Sequence, residues 1–171
     1  MMARGFRQLM LTVHVTASVG WLGAIVAYVA LNVPALASGD EQLIRAAYLM
    51  MEVVLRYALI PLAAVSLTTG IAQALGTPWG LFRHYWVTIS LALTAFAFVI
   101  LVLHVPAVED MAAVAANPRA DVTRLDGDLF HSVGGLVVLL VPLALNIYKP
   151  RGLTRYGWRR TQEHRRTASH T

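Results

Sequence analysis

Long apolar blocks separated by short polar connections dominate the chain, and the length of the blocks decides the fold class. A run of about 18 or more apolar residues with few charges can cross hydrocarbon roughly 30 Å thick as a helix. Four runs reach that length: Leu9 to Leu31, Tyr57 to Leu75, Trp86 to Val105 and Leu129 to Tyr148. The expected fold is all-α, a bundle of four transmembrane helices running up-down-up-down over residues 1–150, with a basic cytoplasmic tail at 151–171. Little chain remains for a separate soluble domain.

Breakers set the expected boundaries. Asn32-Val33-Pro34 predicts the end of the first helix, because proline disfavours helix at the residue before it. Residues 41–56 read as an amphipathic helix carrying Arg45, Glu52 and Arg56, so the second helix should project beyond the membrane, and Pro61 should bend it. Gly76-Thr77-Pro78-Trp79-Gly80 predicts a tight turn, beside Trp79, Tyr85 and Trp86, aromatics of the kind that gather at headgroup depth. Asn117-Pro118 breaks the next connection, in which Ala107 to Ala116 reads as a short helix of its own. The tail after Pro150 is expected to be partly disordered or to lie on anionic lipid.

Composition reinforces this picture. Hydrophobic residues make up 57% of the chain and charged ones 13%, against roughly 25% charged in soluble domains. With no cysteine, disulfides, thiolate catalysis and cysteine metal sites are excluded. The net charge of +5 does not point to nucleic acid, because the basic residues are sorted along the chain instead of covering one face. Seven of the fourteen Lys and Arg lie from Lys149 onward, and Arg4, Arg7 and Arg83 flank the first and third helices. Glu109 to Asp128 holds five acids against two arginines. The positive-inside rule then puts the N-terminus, the Gly76 to Arg83 connection and the tail in the cytoplasm, in a multi-pass protein of the bacterial plasma membrane. Ala35-Leu36-Ala37 after the first apolar run resembles a signal-peptide cleavage site, but the run exceeds the roughly 7–15 residues of a signal-peptide core and reads as a membrane span.

Ionisable residues inside membrane spans are costly and mark functional sites. Here they are histidines: His14 inside the first helix, His84 and His104 at the two ends of the third, and His131 at the start of the fourth. His164 and His170 belong to the tail. His84 and His104 are twenty residues apart, roughly 30 Å along a helix, so two sites are expected, His14 with His84 inside and His104 with His131 outside. Imidazole pairs in an apolar bundle fit b-type haem, one near each face. Gly134 and Gly135 follow His131 at i+3 and i+4 and leave room for a flat ring, although close helix packing also explains them. Arg56 outside, and Arg83 and Arg7 inside, are candidates for the propionates; Arg56 also has Glu52 one turn away, and Arg7 and Arg83 also serve to set topology.

His14-Val15-Thr16-Ala17-Ser18-Val19-Gly20-Trp21-Leu22-Gly23 resembles the first-helix signature of CopD-like bacterial membrane proteins, a histidine followed about two turns later by tryptophan and a small residue. With Gly76 to Trp86 and the Tyr148-Lys149-Pro150-Arg151-Gly152 exit, nearly the whole chain is similar to an actinobacterial group of four-helix membrane proteins. The resemblance implies the fold and a link to copper or haem. The histidines are also similar in arrangement to those of four-helix diheme cytochromes b, from which the chain departs in having none in the second helix. The leading expectation is therefore a membrane electron carrier of oxidoreductase type, moving electrons between a quinol or cytoplasmic donor and an outer redox partner. Copper handling is the alternative: Met50, Met51 and Met111 lie near the outer side but form no Met-x-x-Met cluster. A cofactor-free structural subunit is the third, and association with a second copy is left open. Ser-His-Asp and metalloprotease spacings are absent from the spans.

Overall fold

The computed structural model describes residues 3–77 and 79–168, excluding the side chains of residues 163–168; Pro78, within the predicted turn, and His170 fall outside this set. The described chain is helical throughout its long segments: α1 (Arg4–Ala37), α2 (Glu41–Val54), α3 (Ile60–Gly76), α4 (Tyr85–Ala116), α5 (Leu129–Tyr148) and α6 (Arg155–Ala168). A π-helical turn at Leu55–Leu59 joins α2 to α3 into one rod from Glu41 to Gly76. The α1, α2–α3, α4 and α5 helices are each long and apolar enough to cross a membrane.

Buried residues on α1 recur at helical spacing, Ala17, Trp21, Ile25, Tyr28, Asn32 and Ala35, forming one inward stripe. It meets Tyr48, Met51, Leu55 and Leu59 of the α2–α3 rod, with Val108 of α4 and Leu139 of α5. A smaller cluster of Ala74, Trp86 and Val87, packed by Leu81 and Leu145, closes the other end. Large apolar side chains such as Val19, Phe96, Leu103 and Phe130 stay outside this core, an apolar exterior that water does not favour and lipid does.

Three boundaries differ from the expectation. α1 continues through Pro34 to Ala37, where Ser38 donates its N–H to the Pro34 carbonyl. α4 likewise runs through Pro106 to Ala116, so Ala107 to Ala116 is its last three turns and not a separate helix. The terminus of α4 is held from outside the helix: Arg45 on α2 donates to the carbonyls of Ala115 (3.2 Å), Asn117 (2.7 Å) and Ala120 (2.6 Å), supplying partners to carbonyls that a helix end leaves open. The third difference is the tail, which forms α6. Thr154 docks its start by donating its N–H to Arg83 O (3.0 Å) and its hydroxyl to Phe82 O, and a Cβ at Gly157 would collide with the Arg83 backbone.

The predicted irregularity at Pro61 appears just before it. Proline lacks an N–H and crowds the carbonyl four residues back; the π turn lets Ile60 bond to Leu55 O instead, absorbing the misfit without ending the rod.

Candidate metal centre

Asp128 caps the start of α5 and is buried, its side chain 3% exposed. Its position is fixed from both sides of the backbone. Its N–H donates to Asn32 Oδ1 (2.9 Å), and its carbonyl accepts from the Ser132 hydroxyl (2.7 Å) and N–H (3.1 Å). Gly127 just before it has φ +71°, and a Cβ there would sit 2.5 Å from Leu36 Cδ2, so this approach requires glycine.

The carboxylate gathers three side chains from three helices. Tyr28 of α1 donates its hydroxyl to Oδ2 (2.7 Å), and His104 of α4 presents Nε2 to Oδ1 at 2.7 Å. His131 of α5 brings Nδ1 to 3.4 Å from the same Oδ1. The two imidazoles stack at a centroid distance of 4.1 Å and an interplanar angle of 27°. One ligand atom each from His104, Asp128 and His131 lies within 4.8 Å of the others. Bonds of about 2.0–2.1 Å at tetrahedral angles put ligand atoms about 3.3 Å apart, so His131 and Asp128 already stand at that spacing. His104 Nε2, at 2.7 Å from the same oxygen, stands closer than that spacing. His131, 51% exposed, is the accessible member, and His104, 18% exposed, the enclosed one.

Beside the cluster lies a cleft of about 270 Å³, floored by Trp21, Ile25, Tyr28, Leu55 and Leu59 and walled by α4 and α5. Gly134 and Gly135 line it; a Cβ at Gly135 would sit 3.1 Å from Ile25 Cδ1, whereas one at Gly134 would meet nothing within 4 Å.

The other candidates are placed elsewhere. His14 turns Nδ1 to Ser66 O (3.0 Å) and Thr69 Oγ1 (3.1 Å) on α3, and its ring fills the space beside Gly70. His84 precedes α4, with Nδ1 2.9 Å from Trp79 O and its ring edge-on to Trp79. Among the described residues His14 and His84 share neither a hydrogen bond nor a ring contact. Arg56 is engaged by Glu52 (2.9 Å) and Glu109 (2.7 Å), which tie α2 to α4, and Arg83 offers its backbone carbonyl to the start of α6. Met51 is fully buried in the core and Met111 packs against it.

Sequence reasoning paired His104 with His131 but missed Asp128, Tyr28 and Asn32. Two signals were available: Asp128 stands three residues before His131, and Tyr28 and Asn32 continue the spacing of Trp21 and Ile25 along the inward face of α1. Comparison of the chain with protein-family models, with curated proteins and with solved structures finds no match.

Proposed function

We propose that the chain is a multi-pass protein of the bacterial plasma membrane that binds one divalent transition-metal ion through His104, Asp128 and His131. The helices cross up-down-up-down with both termini cytoplasmic, since Arg4, Arg7, Arg83 and the basic α6 lie at the end away from Asp128. The metal centre is then near the outer face. The single observation that carries the metal reading is the convergence of two imidazoles on one buried carboxylate oxygen. Nitrogen and oxygen donors without thiolate or thioether suit Cu(II) and Zn(II), not Cu(I), and Cu(II) binds tightest among the divalent ions.

A haem-based electron carrier is the second reading, favoured by the cleft along His131, Gly134 and Gly135. Two rings in face contact at 4.1 Å leave no slot for a macrocycle between them, so one haem held by this pair requires the rings to part. Purified protein in mild detergent separates the readings. Titration with Zn(II) or Cu(II) is expected to saturate at one ion per chain and to be lost in Asp128→Ala. A Soret band with two-imidazole character and no metal titration would overturn the metal reading in favour of haem.

A further inference from the structure

The cleft beside the metal centre has a shape and polarity that specify a ligand of its own. Its floor is made of buried side chains of α1 and of the π turn after α2, while Phe96 and Ile100 of α4 and Phe130 of α5 stand exposed at its mouth. These exposed side chains are apolar, so in a membrane that mouth would face lipid. The inner end is polar and holds Asp128 and His131. Among the described residues no lysine or arginine lines it. At about 270 Å³ it falls just short of the roughly 300–1,000 Å³ that encloses a drug-sized ligand. It therefore suits a one- or two-ring head whose tail continues into lipid, and is small for a macrocycle.

Gly134 gives an independent sign. It lies inside α5, in the second turn, where glycine costs about 1 kcal/mol relative to alanine. A Cβ there would meet nothing within 4 Å, and its φ is not in the positive range. Neither packing nor backbone conformation calls for glycine, yet the missing side chain is what keeps this wall of the cleft flat.

We infer that the cleft binds a quinone or quinol, its ring lying along Gly134 between α4 and α5 and one ring oxygen hydrogen-bonded to His131. When Nδ1 of His131 holds an ion, Nε2 carries the proton and donates to a quinone carbonyl; when Nδ1 instead donates to Asp128, Nε2 accepts from a quinol hydroxyl. The inference deepens the proposed function, because ligand and ion share His131.

The test is calorimetric titration of the full chain in detergent with decylubiquinone and menadione, with n-decanol as a ringless comparator. Saturable binding near one quinone per chain is expected, with no saturable heat from n-decanol. Gly134→Leu, whose side chain enters open space, is expected to weaken quinone binding at least tenfold. Gly23→Leu makes the same change on the exposed face of α1, where a Cβ also meets nothing within 4 Å, and is expected to leave binding unchanged. If Gly134→Leu does not fold, Ile100→Trp at the mouth serves in its place and is expected to weaken binding likewise. Equal binding by wild type and the cleft variants, or saturable binding of n-decanol, would overturn the inference. Zinc titration of the wild-type preparation reports separately on the metal reading. Zinc saturation without cleft-dependent quinone binding defeats this inference alone, whereas cleft-dependent quinone binding without zinc uptake defeats the metal reading alone.

Discussion

Two regions of the bundle place a histidine among polar groups inside apolar helices, and they do different things with it. At His14 the imidazole bonds to neutral partners, Ser66 O and Thr69 Oγ1, while Ser18 and Ser66 join hydroxyls at 2.8 Å alongside. This is a polar seam that fastens α1 to α3 and leaves no anionic group for a cation to join. At Asp128 two imidazoles and a phenol converge on a carboxylate held by Asn32 and Ser132. A buried charge is expensive unless it is well partnered, and this one is partnered by groups of the kind that could exchange a proton for a metal. What separates the two is the carboxylate, not the number of histidines.

The largest effect should come from removing that charge. Asp128→Ala is expected to abolish metal binding. In the metal-free protein it should also cost about 3–5 kcal/mol, the range for breaking a buried ionic pair, read from denaturant unfolding in detergent. His14→Ala should leave metal binding unchanged; if it abolished binding as well, the contrast between the regions would fail.

Next comes the ion itself. At a hundredfold excess over its dissociation constant it should add about 2.7 kcal/mol to the folded state. For a chain of this size that is about 5–10 °C in Tm, and chelation should reverse it. No such rise is expected in Asp128→Ala.

Tyr28→Phe sharpens the comparison further. It leaves the ligand atoms in place but removes the donor to Asp128 Oδ2, and loss of such a partner typically weakens metal affinity 10–100-fold. Retained affinity in a titration would show that Tyr28 merely packs.

The smallest effect belongs to the seam. His14→Ala should cost about 1–2 kcal/mol through lost hydrogen bonds, seen as a modest drop in unfolding midpoint. A much greater loss would mark His14 as more than a fastener between α1 and α3.

Length and hydropathy carry the four spans, and α5 matches its predicted bounds of Leu129 to Tyr148. The prolines misled, because Pro34 and Pro106 each remove one backbone donor, which a helix packed on its neighbours tolerates. The end of α4 falls at Ala116, just before the Asn117-Pro118 break, and Arg45, more than sixty residues earlier in the chain, holds the carbonyls there by a long reach that no local pattern shows. His104 and His131 were legible as partners because they flank one connection. Asp128 was not, since in Asp126-Gly127-Asp128 it looks like a solvated turn acid. Only the fold brings Asn32 and Tyr28, about a hundred residues away, onto it.

The most direct measurement is X-ray absorption at the metal edge of the Zn(II)- or Cu(II)-loaded full chain beside Asp128→Ala. The account predicts one ion per chain with two imidazole nitrogens and at least one carboxylate oxygen at about 2.0–2.1 Å, and no such shell in the variant. A spectrum without imidazole scattering, or one that Asp128→Ala leaves unchanged, would contradict it.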